Sequence, residues 1–97
     1  MDNRKTIQTA LDYIEENLKA EISVSDLSDM TGYSLYHFYR LFQSAVGMPV
    51  MQYILRRKLL NAIYDISSGL SKTDAALLYG FETYAGFYKA FKREIGY

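Results

Sequence analysis

Residues 23–47 read SVSDLSDMTGYSLYHFYRLFQSAVG, and this stretch decides the fold. It opens with Ser23 and, three residues later, Asp26, a capping-box pattern that satisfies free amide groups at the start of a helix. Gly32 suits the left-handed backbone that follows a helix, and Ser34 is placed to cap a second helix that stops at the final glycine. The stretch therefore predicts a helix-turn-helix motif.

The same pattern returns at residues 71–95. Ser71 and Asp74 repeat the capping box, a short apolar helix leads to Gly80, and another helix follows. The matching positions are Ser23 and Ser71, Asp26 and Asp74, Gly32 and Gly80, and Tyr33 and Phe81 at an offset of 48, then Ser34 and Thr83, Phe38 and Phe87, Arg40 and Lys89, and Phe42 and Phe91 at 49. The one-residue slip falls in the turn, so the chain contains an internal repeat with two helix-turn-helix motifs.

Two further helices are predicted outside the motifs. Residues 3–19 place apolar side chains at helical spacing, namely Ile7, Ala10, Leu11, Ile14 and Leu18. Residues 50–67 are expected to form a long linker helix, with Pro49 suited to its first turn. The predicted fold is all-α: two helix-turn-helix subdomains joined by a long linker helix in a single domain, residues 1–97.

The composition restricts the class of function. The 97 residues include no cysteine, which excludes disulfides, thiolate metal sites and cysteine nucleophiles, and their single histidine excludes a histidine-rich metal site. The sequence lacks a glycine-rich phosphate loop and a catalytic constellation, so we expect neither an enzyme nor a cofactor. It also lacks a secretory signal and an apolar run long enough to span a membrane, and a cytoplasmic location is expected.

The charge is distributed unevenly along the chain. The formal net charge is zero, which counts against nucleic acid as a partner. Residues 1–30, however, hold seven acidic and three basic residues, and residues 31–97 hold eight basic and four acidic ones. An acidic end and a basic working surface is one interpretation, and scattered solvated charges is the other.

The second helix of each motif has an apolar face and a polar one. In the first motif the predicted core face holds Phe38, Leu41, Phe42 and Ala45; in the second it holds Phe87, Ala90, Phe91 and Ile95. The outward faces carry side chains that could reach base edges and phosphates in a major groove, namely Tyr36, Tyr39, Arg40 and Gln43, then Tyr84, Ala85, Tyr88, Lys89 and Lys92. Arg40 is the best candidate for guanine. Gly86 destabilises its helix, so either another backbone approaches it closely or the helix is poorly optimised.

The stretch GYSLYHFYRLFQSAVGMPVMQYILRRKLLNA, with YGFETYAGFYKAFKREIGY, resembles the AraC/XylS transcriptional regulators over nearly the whole chain. The resemblance implies a homeodomain-like, seven-helix DNA-binding domain whose third and sixth helices enter successive major grooves, about 34 Å apart. It implies base contacts from Tyr36, Tyr39, Arg40, Tyr84, Ala85, Tyr88 and Lys89. We expect phosphate contacts from Ser34, His37, Gln43, Arg56, Arg57, Thr83 and Lys92.

The sequence departs from the family pattern at three places. Pro49 stands one residue before the family's usual proline, Lys58 replaces a common arginine, and the usual segment after the last glycine is missing.

The expected partners are double-stranded DNA, RNA polymerase, and a regulatory or effector domain elsewhere in a longer protein. The alternative is a helical protein-interaction module that has lost DNA binding; in a second version, the first motif reads bases while the other mostly holds phosphates.

Overall fold

The computed structural model describes residues 3–96, which contain six helices and no strand. The helices are α1 (Asn3–Glu16), α2 (Val24–Thr31), α3 (Leu35–Val46), α4 (Val50–Ser67), α5 (Lys72–Leu78) and α6 (Tyr84–Glu94). The predicted all-α class is confirmed. No helix in this range combines the length and the apolar character that crossing a membrane requires.

The described residues form two compact units, and the boundary between them falls inside α4. The first unit holds residues 3–17 and 22–54, and the second holds residues 18–21 and 55–96. In the first unit α1, α2 and α3 pack against one another, and in the second α5 packs against α6. Each unit therefore contains one of the two helix-turn-helix motifs.

Side-chain caps begin both helices of both motifs, as the sequence predicts. The hydroxyl of Ser23 accepts a hydrogen bond from the backbone N–H of Asp26 at 3.2 Å, and that of Ser71 accepts from Asp74 at 3.1 Å. Ser34 and Thr83 cap α3 and α6 in the same way, accepting from His37 at 3.2 Å and from Gly86 at 3.0 Å. A hydroxyl at this position satisfies an amide group that the helix leaves without a partner.

Glycines at positive φ turn the chain between the helices of each motif. Gly32 has φ of 79° and Gly80 has φ of 91°, values that side chains with a Cβ rarely adopt. Ser34 follows two residues after Gly32, whereas Thr83 follows three after Gly80. The extra residue in the second turn accounts for the one-residue slip in the repeat.

Each unit has its own apolar core. In the first unit the fully buried side chains include Ile14, Leu27, Phe38, Phe42 and Val50. In the second, the buried set comprises Leu18, Leu59, Ala62, Ala75, Ala76, Tyr79, Phe87 and Ala90. Phe38 and Phe87, which correspond in the repeat, are 0% and 1% exposed. In each motif, the phenylalanine face of the second helix is therefore buried in the core.

Three details differ from the prediction. α1 ends at Glu16 rather than near residue 19, because Asn17 leaves the helical pattern: its N–H bonds to Ile14 and its amide side chain donates to the carbonyl of Tyr13 at 2.8 Å. Pro49 precedes the first residue of α4, and its carbonyl accepts the N–H of Tyr53. Ala45 is exposed, because the buried stripe of α3 follows spacings of four from Phe38 through Phe42 to half-buried Val46.

Candidate nucleic-acid interface

The outward face of α3 carries the four side chains that the sequence predicts there. Tyr36 is 69% exposed, and Tyr39, Arg40 and Gln43 are also exposed. Since Phe38 on the opposite side is fully buried, α3 is fixed by its core face and presents a polar and aromatic face to its surroundings. A helix of this kind is the element that fits a major groove.

Tyr36 and Arg40 contact each other on this face. The Nη1 of Arg40 donates a hydrogen bond to the Oη of Tyr36 at 2.9 Å, and the guanidinium carbon lies 5.7 Å from the centre of the tyrosine ring. Both residues are exposed, one helical turn apart. The two predicted base-contacting residues therefore form a pair within the protein.

His37 lies at the start of α3, next to a small aromatic contact. Its ring centre is 4.6 Å from that of Tyr33, and the hydroxyl of Tyr33 donates to the side-chain oxygen of Asn3 at 3.1 Å. The imidazole of His37 stays exposed. His37 therefore packs against Tyr33 and still remains exposed, and its expected phosphate contact stays a prediction.

The outward face of α6 is similar but less open at its first residue. Tyr88 is 49% exposed, and Ala85, Lys89 and Lys92 are exposed as well. Tyr84 is half-buried and stacks on Phe87, with ring centres 5.8 Å apart and ring planes at 29°. Of the residues predicted on this face, Tyr84 is thus the most committed to packing.

Lys72 adds a cation to this region that the sequence analysis missed. Its ammonium group lies 5.5 Å from the ring centre of Tyr84, within the range of a cation–π contact. Lys72 is exposed and opens α5 directly after the cap Ser71. Its place inside the capping-box pattern had suggested only a helix start, and the contact with Tyr84 depends on the packing of α5 against α6.

Gly86 lies exposed in the first turn of α6. A Cβ built on this residue would meet the hydroxyl of Thr83 at 3.4 Å, which is ordinary van der Waals contact. The backbone of Gly86 has no positive φ. Neither the conformation nor the packing of the described residues therefore requires glycine at this position.

The basic run at residues 56–58 makes contacts within the second unit. The Nη1 of Arg56 donates to the carbonyl of Glu94 at 2.6 Å, at the last residue of α6, and Lys58 donates to the carbonyl of Ala20 at 2.9 Å. Burial lowers the pKa of Lys58 from its ordinary value, and the carboxylate of Glu21 opposes this effect. Arg56 thus stabilises the end of α6, and its predicted phosphate contact stays a prediction.

A buried tyrosine at the end of α5 is hydrogen-bonded to α4. Tyr79 is 2% exposed; its hydroxyl donates to Asp65 at 2.6 Å and accepts from the side-chain amide of Asn61 at 2.6 Å. Burial, together with the hydrogen bond to Asp65, raises the pKa of Tyr79 to about 12, although the bond from Asn61 acts against this rise. The ammonium of Lys19 lies 3.8 Å from the same carboxylate oxygen of Asp65.

No group of three histidine, cysteine, aspartate or glutamate side chains in residues 3–96 is arranged to hold a metal ion. The polar groups exposed on the outward faces of α3 and α6 are phenols, the guanidinium of Arg40, the amide of Gln43 and ammonium groups. These are hydrogen-bond donors, cations and flat aromatic surfaces, which suit a polyanion better than a metal.

A family model described as a helix-turn-helix domain matches residues 27–97. The chain is 36% identical over 91 residues to the HTH-type transcriptional activator AarP of Providencia stuartii, covering 93% of this chain and 67% of AarP. It is 34% identical over 92 residues to the multiple antibiotic resistance protein MarA of Escherichia coli K12, covering 90% of this chain and 69% of MarA. It covers 30% of YbfP, an uncharacterized HTH-type transcriptional regulator of Bacillus subtilis that is 37% identical over 94 residues.

Solved structures give the same result for the fold. A transcriptional regulator with an AraC-type DNA-binding domain from Chromobacterium violaceum superposes with a TM-score of 0.88 at 21% identity, covering 97% of this chain and 85% of the other. The C-terminal domain of AraT, a response regulator from Geobacillus stearothermophilus, gives 0.82 at 18% identity, covering 95% and 78%.

Proposed function

Because this chain belongs to the AraC/XylS family of helix-turn-helix transcriptional regulators and is a DNA-binding domain of that family, we propose that α3 and α6 are its recognition helices. The proposal is that they enter successive major grooves of a DNA duplex. The observation that carries it is the repeated division of these two helices into a buried phenylalanine face and an exposed face of tyrosines and cations.

Base contacts are assigned to the N-terminal half of each outward face. On α3 these are Tyr36, Tyr39 and Arg40, of which Arg40 is the guanine reader because a guanidinium pairs with the O6 and N7 acceptors of guanine. On α6 the candidates are Tyr84, Ala85, Tyr88 and Lys89. Ala85, Tyr88 and Lys89 are exposed, and half-buried Tyr84 is the weakest of the four candidates.

Phosphate contacts are assigned to the edges of the two faces. The candidates are Ser34, His37 and Gln43 around α3, Thr83 and Lys92 around α6, and Arg56 and Arg57 on α4. Ser34 and Thr83 cap their helices, where backbone amides and a positive helix end favour an anion. Lys92 is an exposed cation in the last turn of α6.

The wider assignment concerns partners and location. We propose a cytoplasmic regulator that controls transcription through RNA polymerase, with a regulatory or effector domain elsewhere in a longer protein. AarP is named as a transcriptional activator, and this chain corresponds to 30% of the length of YbfP. These two similarities support the proposal.

The test is selection of bound duplexes from a random library, followed by measurement of affinity against salt. Two enriched motifs about one helical turn apart are expected. One enriched motif would mean that a single helix reads bases. The absence of enrichment, with affinity insensitive to salt, would instead favour the protein-interaction module that has lost DNA binding.

Arg40→Ala is expected to weaken binding to the selected duplex by about 1 to 3 kcal/mol and to relax one base position. Fluorescence anisotropy with the selected duplex and its single-base variants measures both effects. Lys5→Ala, which removes an exposed cation from α1, is the control and should leave binding unchanged. Unchanged base preference in Arg40→Ala would exclude Arg40 as the guanine reader.

A further inference from the structure

Tyr36 and Arg40 are in contact on the exposed face of α3 in the absence of DNA. An exposed arginine otherwise samples many rotamers, and this freedom is lost on binding. Here a hydrogen bond of 2.9 Å, with the guanidinium carbon 5.7 Å from the ring centre, places the guanidinium beside the phenol. The pair is therefore organised within the exposed face of α3.

We propose that Tyr36 is a positioning residue that orients the guanidinium of Arg40 for guanine, and that the two side chains together read a guanine and its neighbouring base. This inference rests on the proposed function of α3. It extends the predicted role of Tyr36, which acts through Arg40 at the guanine and contacts only the neighbouring base directly.

The remaining donors of the pair determine what it can read. A guanidinium has five N–H groups, and the bond to Tyr36 uses one on Nη1. The groups on Nη2 and Nε stay available for O6 and N7 of guanine. The oxygen of Tyr36 accepts from Arg40, so its own O–H stays available to donate.

Because the Tyr36 oxygen already accepts from Arg40, the pair offers the bases mainly donors, and donors favour acceptors. In the major groove, guanine, adenine and thymine each present at least one acceptor, whereas cytosine presents an amino donor. Next to the guanine that Arg40 reads, the O–H of Tyr36 therefore disfavours cytosine. Removal of this hydroxyl should relax both base positions, and removal of the guanidinium should relax the guanine position more strongly.

The test uses Tyr36→Phe, Arg40→Ala and the double variant of the full chain. Binding is measured on the selected duplex, on a duplex with adenine in place of the guanine, and on one with cytosine at the neighbouring position. Tyr36→Phe should lower the guanine-to-adenine affinity ratio about three- to tenfold, the size of one lost hydrogen bond. It should also raise the relative affinity for the cytosine duplex.

The double variant distinguishes positioning from independent contact. Coupled residues give non-additive losses, so the double variant should be no less selective for guanine than Arg40→Ala alone. Tyr64→Phe, at a tyrosine of α4 that is 67% exposed, is the matched control and should change neither ratio. A change in folding would lower binding to all duplexes alike and leave the ratios intact.

A measurement on the free protein checks the contact itself. Rotation of the Arg40 guanidinium, followed by nitrogen NMR, should be slowed in the wild type and faster in Tyr36→Phe. Equal rotation in the two proteins, or additive losses of selectivity, would overturn the positioning role while leaving the recognition helices in place. A wild-type chain that selects no duplex would overturn the proposed function and this inference together.

Discussion

Gly86 is a glycine that the fold itself does not require. The residue is exposed in an α-helical turn, and a methyl group would fit against Thr83 without a clash. A glycine in a helix costs backbone entropy that alanine does not. The fold alone would therefore favour alanine.

Gly86→Ala should increase the free energy of unfolding by about 0.5 to 1 kcal/mol, because alanine restricts the unfolded chain and favours the helix. Urea unfolding followed by circular dichroism measures this change. Ala85→Gly, the neighbouring exposed position, should lower stability by a similar amount. A Gly86→Ala protein that is more stable but binds its duplex at least about tenfold more weakly would indicate that DNA passes close to this turn.

Lys72 also acts as a single residue, through the contact of its ammonium group with the ring of Tyr84. We propose a phosphate contact for Lys92, and Lys72 is an exposed cation beside Tyr84 that could make a second one. If each lysine contacts one phosphate, Lys72→Ala and Lys92→Ala should each weaken binding to all duplexes alike and lower the slope of log affinity against log salt by about one. Titrations of the selected duplex between low and moderate salt measure the slope. Lys5→Ala is again the control. An unchanged slope in Lys72→Ala would mean that Lys72 contacts Tyr84 but no DNA phosphate.

At the scale of the helices, local chemistry was predictable and long-range contacts were not. Ser34 and Gly32 were recognised because a capping hydroxyl and a positive φ are demands of the backbone itself. The contact from Arg56 to Glu94 joins residues 38 positions apart, and no local pattern signals it. The pairing of Tyr36 with Arg40 lies between these cases. The spacing of four residues was visible in the sequence, but the hydrogen bond between the guanidinium and the phenol was not.

The anchoring of α5 gives the second unit a pH dependence. A tyrosine in an unfolded chain has a pKa of about 10, whereas that of Tyr79 is raised to about 12. Below pH 10 both states keep the proton and the full stabilisation is present. Between pH 10 and 12 the unfolded state ionises first, so stability falls by roughly 2 to 3 kcal/mol in total.

Urea unfolding of the wild type and of Tyr79→Phe over this pH range tests the effect. The variant should be less stable near neutral pH, because Asp65 loses its donor, but it should lack the extra alkaline loss. The lowered pKa of Lys58 contributes with the opposite sign and is common to both proteins, so their difference isolates Tyr79. Parallel curves for the two proteins would contradict the assignment.

At the scale of the whole chain, the total charge is a poor guide to function. The formal net charge is zero, yet residues 31–97 carry eight basic and four acidic residues. Binding of a polyanion depends on where cations lie rather than on their sum. The exposed cations Arg40, Lys89 and Lys92 lie on the two outward faces, and this placement was recognisable from helical periodicity alone.

The separate cores of the two units also affect how the DNA specificity of such a protein can evolve. Within residues 3–96 each outward face is held in place by a buried phenylalanine on the other side of its helix, Phe38 for α3 and Phe87 for α6. A substitution on one face therefore leaves the support of the other intact, and effects at sites without shared partners add. If α3 and α6 each read one part of the operator, as proposed, a substitution on one face can change the recognition of that part while the other face still binds, so the protein can acquire a new operator without first losing DNA binding.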